Sequence, residues 1–128
     1  MNPALARKIL MSVRAAVGWS SLLLPGVVLR LFGVKGHLRA ELKYALRLFG
    51  IRDVLLAYQL YQTQRPDAPA EELEEVLRQG IAVDSIDAVS ALVAGASKGV
   101  GPRTAVMGTG AAVFAAAMGF LGREQAAG

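Results

Sequence analysis

The sequence predicts an all-α protein, a four-helix antiparallel transmembrane bundle with a short interfacial helix after the first span. Three observations predict it. Hydrophobic residues make up 54% of the 128 positions and mean hydropathy is +0.42, more apolar than an ordinary soluble domain. Residues 104–122 carry no charge at all, close to the roughly 20 apolar residues that cross a bilayer. The stretches between the apolar segments are short, which favours antiparallel neighbours over long crossovers. At this length the chain is one domain, residues 1–128.

The first helix is expected over residues 3–24, with Pro3 at the favoured first turn and Pro25-Gly26 as a stop or kink. Arg7 and Lys8 precede its apolar part as in a signal peptide, but Arg14 interrupts that part and no cleavage motif closes it, so the segment reads as a helix of the mature protein. Trp19, Ser20 and Ser21 have ordinary packing readings. A short amphipathic turn over 27–33, ended by Gly33 and Gly36, lies at the interface. The second long helix spans 37–64, and Tyr44 and Tyr61 are its interfacial anchors, about 25 Å apart on a helical rise of about 1.5 Å per residue. Two prolines and an aspartate break the chain before the third helix, 70–97, whose first turns carry Glu71, Glu72, Glu74 and Glu75 against the positive end of the helix dipole. A tight turn through Gly99 and Gly101 leads to the fourth helix, 103–122. Small residues at packing spacing, Gly80, Ala91 and Gly95 on the third helix and Gly108, Ala112 and Ala116 on the fourth, suit close backbone approach in lipid.

Helix registers place six ionisable residues inside the apolar layer: Arg14, Arg47, Arg52, Asp53, Asp84 and Asp87. Each uncompensated charge at mid-bilayer costs at least about 2.5 to 3.5 kcal/mol, so a buried ion-pair network is required, and the signs balance at three against three. Asp84 and Asp87 share a face as i and i+3. Arg52 is level with Asp87 in an antiparallel pair and is expected to face it, Asp53 to face Arg14, and Arg47 to snorkel to the interface. The network either fixes helix register, lines a proton or ion path, or receives a partner or lipid headgroup.

The rest of the chemistry is sparse. Without cysteine there is no disulfide, thiolate metal site or cysteine nucleophile. The single histidine, His37, reads as a solvated loop residue rather than a metal ligand. No phosphate-binding loop, nucleophile elbow or HExxH motif occurs, so no cofactor, no metal and no enzymatic activity is expected. The net charge of +4, with pI near 9.9, gathers at Arg30, Lys35, Arg39 and Lys43 beside apolar segments, which suits lipid headgroups better than nucleic acid. Lys and Arg divide almost evenly between the two sides of a four-span topology, so orientation is left open.

The run RLFGIRD at residues 47–53, GIAVDSIDAVSAL at 80–92 and the Ala/Gly-rich last helix resemble small four-helix integral membrane proteins of unknown function from actinobacteria. The resemblance covers roughly residues 33–122 and implies fold and location, a multi-pass protein of the bacterial cytoplasmic membrane, but carries no activity. The expected function is a non-enzymatic membrane subunit that docks on a larger assembly, such as a lipid-import or respiratory complex. Its expected partners are the bilayer and other membrane subunits. The alternative is a small transporter or lipid-binding carrier using the Asp/Arg cluster, which would need a homo-oligomer because four thin helices rich in Ala and Gly are expected to enclose little volume on their own.

Overall fold

The computed structural model describes residues 1–123 and, among them, five helices and no strand: α1 (Pro3–Leu23), α2 (Pro25–Leu31), α3 (Ala40–Gln62), α4 (Ala70–Ala96) and α5 (Pro102–Leu121). The all-α class is therefore observed, with four long helices and one short one. Only α5 is by itself long and apolar enough to cross a membrane, with mean hydropathy 1.7 in its best window. The α1 and α2 pair passes the same test only as one segment bent by 116°. Charges keep α3 and α4 below that threshold.

Local signals explain the boundaries. Asn2 accepts a hydrogen bond from the Ala4 amide at 2.8 Å and Pro3 follows at the first helical position, so α1 starts where the chain first offers a side-chain cap. Pro25 ends α1 and starts α2. The interfacial turn expected over 27–33 therefore begins two residues earlier and ends at Leu31. The second long helix starts at Ala40 rather than 37, because Gly33 (φ 89°) and Gly36 (φ 77°) hold the connecting chain in left-handed conformations that end one helix and delay the next.

Contacts along the helices show antiparallel neighbours. Gly18 on α1 meets Gly50 and Val54 on α3, Gly95 on α4 meets Ala105 on α5, and Arg7 on α1 reaches the Gly122 carbonyl beyond α5. The packing is uneven. The α1/α3 and α4/α5 pairs are in close contact along their lengths, whereas α3 and α4 touch only sparsely, so the molecule is two tight helix pairs leaning together.

They lean together at one end. Ala6, Leu10, Leu60, Leu73, Leu77 and Met118 form the apolar core there, drawn from the start of α1, the end of α3, the start of α4 and the end of α5. At the outer edge of this core, buried Arg7 donates from Nε to Gln64 and from Nη1 to the Gly122 carbonyl, both at 2.9 Å, tying α1 to the ends of α3 and α5. Arg123 pairs with Glu74 at 2.5 Å on the surface, and Arg78 pairs with Glu75, holding the Glu75 carboxyl below its ordinary range by that hydrogen bond and a second from Gln79. This end is sealed.

The close approach of α1 and α3 rests on two glycines that the small-residue pattern of the last two helices did not single out. A Cβ on Gly50 would stand 2.6 Å from the Gly18 carbonyl oxygen and 2.8 Å from the Leu22 nitrogen, and one on Gly18 would stand 2.9 Å from the Gly50 carbonyl oxygen. Backbone atoms cannot swing aside. Gly50→Ala should lower the stability of the purified protein by about 1 to 3 kcal/mol through overpacking. A Cβ on Gly110 meets nothing within 4 Å, and Gly110→Ala should instead gain roughly 0.5 to 1 kcal/mol of helix stability. Thermal unfolding of the two variants in one detergent checks the contrast.

Candidate functional site: a charged layer beneath an apolar cavity

Midway along the helices the four long elements each face a charged layer or contribute to it. Arg14 on α1 donates from Nη2 to Asp84 on α4 at 2.6 Å, with side chains only 3% and 7% exposed. Arg52 on α3 donates from Nη2 to Asp87 at 2.5 Å and from Nη1 at 3.4 Å, and its guanidinium also lies 4.8 Å from the Phe49 ring centre. The second pair is about one-third exposed and so better screened. Asp53, one residue on from Arg52, is buried beside these groups.

This layer differs from the expected network in three ways. Arg14 bonds Asp84, not Asp53, because Gly80, one turn before Asp84, leaves a trough for the guanidinium: a Cβ on Gly80 would lie 2.7 Å from Arg14 Nη2. Gly80 is thus a seat for Arg14 rather than a contact between α4 and α5. Arg47 is exposed, consistent with the outward placement expected of it, and the buried charges therefore do not balance at three against three. They are Arg14 and Arg52 against Asp53, Asp84 and Asp87, two against three. Of the other small residues, Gly95 meets Ala105, a Cβ on Gly108 would lie in ordinary contact (3.5 Å) with the Ala91 Cβ, Ala112 is buried and Ala116 is half-buried, so these do line the α4/α5 seam.

Above the layer, where the two helix pairs diverge, lies a cavity of about 990 Å³, at the top of the range for small-molecule sites. Arg14, Asp53, Asp84 and Asp87 line its floor, and Val13, Val17, Phe49, Ala111, Ala112 and Ala115 are among its apolar walls. Volume was expected to require several copies of the chain. One chain supplies it, because α2 and the glycine-rich α4/α5 turn prop the helix pairs apart at this end. Thr104 Oγ1 donates to the Phe32 carbonyl at 2.7 Å and Arg103 Nη2 to the Leu31 carbonyl at 3.0 Å, fastening the start of α5 to the last turn of α2. These bonds also satisfy helix-end carbonyls that would otherwise lack partners.

The mouth is basic. Lys35 and Arg103 line it, and Arg30, Arg39, Lys43 and Lys98 belong to the same end of the molecule, against Glu41 as the acidic residue among them. The opposite, sealed end sets Arg7, Lys8, Arg65, Arg78 and Arg123 against Asp67, Glu71, Glu72, Glu74 and Glu75, five against five. Counting Lys and Arg alone hid this asymmetry. His37 is exposed in the loop at the basic end, and no group of three His, Cys, Asp or Glu side chains is placed to hold a metal ion among the described residues.

Comparison with protein-family models, with curated proteins and with solved structures finds no match.

The two ion pairs should differ in strength. Removing one partner of a fully buried pair leaves an uncompensated charge and costs about 3 to 5 kcal/mol, while a pair about one-third exposed is partly relieved by solvent. Arg14→Leu should therefore destabilise more than Arg52→Leu. In double-mutant cycles the Arg14/Asp84 coupling energy should exceed that of Arg52/Asp87, with each double change recovering part of the single losses. Simple additivity for Arg14 and Asp84, read from unfolding in detergent, would show that this contact does not form.

Proposed function

We propose that the chain is a multi-pass membrane protein, its four long helices crossing the bilayer with α2 at the interface, and that it binds the apolar part of an amphiphile in the cavity above the charged layer. The outer surface supports immersion. Leu48, Ile51 and Leu55 on α3, Ile86 and Val89 on α4 and Val106 on α5 are all exposed by 43% to 71%, the kind of apolar surface that a membrane or partner covers. Of the charges midway along α3 and α4, Arg52 pairs with Asp87, Asp84 pairs with Arg14 and Asp53 is buried, while Arg47 is exposed. Composition and the resemblance described above suit a bacterial cytoplasmic membrane.

The observation that carries the reading is the cavity itself, apolar along its walls, polar at its floor and basic at its mouth. A transporter or lipid-binding carrier uses such a chamber to hold a molecule half in lipid and half in a polar setting. The role is non-enzymatic binding and transfer. Docking on a larger lipid-import or respiratory assembly is the second reading, and one feature favours it: Val106, Gly110, Val113 and Ala117 are exposed along one side of α5 at a spacing that receives another helix.

Two measurements test the proposal. The natural chain lacks cysteine, so Tyr44→Cys and Tyr61→Cys each give a single thiol, and in sealed vesicles an impermeant reagent should label the two from opposite sides. Labelling of both from one side contradicts the crossing of α3. Leu46 lines the cavity, and Leu46→Trp should reduce the lipid that co-purifies with the protein several-fold while leaving the melting temperature unchanged or higher. Equal lipid content in the variant would contradict binding in the cavity.

A further inference from the structure

The cations at the two ends of the molecule are used differently. At the sealed end Arg65, Arg78 and Arg123 each meet a glutamate, Glu72, Glu75 and Glu74 respectively. At the open end Arg39 meets Glu41 at 3.7 Å, whereas Arg30, Lys35, Lys43, Lys98 and Arg103 join no ion pair among the described residues. Cations gathered at one end without carboxylates repel one another, and a bound anion relieves that repulsion.

Two of these five, Lys35 and Arg103, line the cavity. Lys35 is exposed in the loop between α2 and α3, and Arg103 is held at the start of α5 by the bond from its Nη2 to the Leu31 carbonyl. The stem of Arg103 lies against Gly33, where a Cβ would stand 2.8 Å from Arg103 Cδ, and this brings the arginine to the chain segment that carries Lys35. The deep end of the cavity is unsuited to an anion. The charged layer there holds three carboxylates against two guanidiniums, and Arg14 is enclosed and committed to Asp84. An anionic head is therefore repelled from the floor and attracted to the rim, which leaves the apolar walls at Val17, Phe49 and Ala112 to its hydrocarbon.

The geometry points to a head-up site for a lipid whose head carries a phosphate, the phosphate oxygens accepting from Lys35 and Arg103 while hydrocarbon fills the chamber down to the charged layer. This inference rests on the binding role proposed above and names the amphiphile that the role takes. With the helices crossing as proposed, Arg103 opens a membrane-crossing helix and Lys35 follows the interfacial one, so both stand at the height of the lipid headgroups. A soluble phosphate shares the head chemistry but leaves the apolar walls uncovered.

Radiolabelled hexadecyl phosphate and hexadecanol test the site, each measured for equilibrium binding to the full chain in phosphatidylcholine nanodiscs, with uptake by empty discs subtracted. They share a tail and differ in the head. The wild-type protein should bind the phosphate about 25-fold more tightly, about fivefold for each cation at the rim. Lys35→Gln should remove about fivefold of that preference, and Arg103→Lys, which keeps the charge, should retain most of what Arg103→Gln loses. Lys43→Gln with Lys98→Gln removes as much charge as Lys35→Gln with Arg103→Gln, but from positions outside the cavity lining, and should cost about twofold at most. Inorganic phosphate at matched concentration should displace none of the bound hexadecyl phosphate. Equal affinity for the two amphiphiles, equal losses from the two double changes, or displacement by inorganic phosphate overturns the head-up site and leaves the cavity reading standing. Failure of both amphiphiles to bind, or undiminished binding of both to Leu46→Trp, overturns the cavity reading and the site with it.

Discussion

The contact between Arg14 and Asp84 sets the geometry of the rest of the molecule. It joins α1 to α4, helices that belong to different tight pairs, across the interior of the bundle. Its formation requires a glycine at position 80 to seat the guanidinium, and it fixes the height at which the four helices agree in register. Below that height aliphatic side chains fill the space between the pairs. Above it the pairs diverge. A buried ion pair is weak evidence for stability, since desolvation offsets most of its attraction, but it strongly disfavours any register that would leave either charge alone. Here that register defines both a floor and a chamber.

The charged layer is also unequal, and the inequality links structure to function. Two guanidiniums are committed to two carboxylates, and a third carboxylate remains at the cavity wall. Had Arg47 turned inward, the layer would have been neutral and closed. Turned outward, it leaves Asp53 on the cavity floor without a guanidinium bonded to it. The ends of the bundle divide in the same direction, with balanced charge at the sealed end and a strong cationic excess at the open one. On the binding role proposed here, an amphiphile at an anionic membrane surface would be drawn to the end where the chamber opens.

Much of the fold was legible because its signals are local. Pro3, Pro25, the paired prolines before α4 and the glycines before α5 mark helix ends directly, and observed bounds fall within three residues of the expected ones. The fixed rise of antiparallel helices was enough to place Arg52 level with Asp87. What the sequence hid depends on three-dimensional placement. Gly18 and Gly50 are isolated glycines in apolar runs, and only the crossing of α1 over α3 shows that they touch. The choice of Asp84 over Asp53 as the partner of Arg14 turned on an absent Cβ at position 80. The cavity arises from unequal contact between helix pairs, which no periodicity records.

The central claim is that the charged layer separates a sealed half from an open one, and α1 crosses both. Single cysteines placed at Ala6 and Leu10, in the core, and at Val13 and Val17, on the cavity wall, test it in a chain that otherwise lacks the residue. In nanodiscs a small water-soluble thiosulfonate should modify the two upper positions quickly and spare the two lower ones, with the change falling at Arg14. Uniform protection, or uniform modification, along α1 would contradict the account.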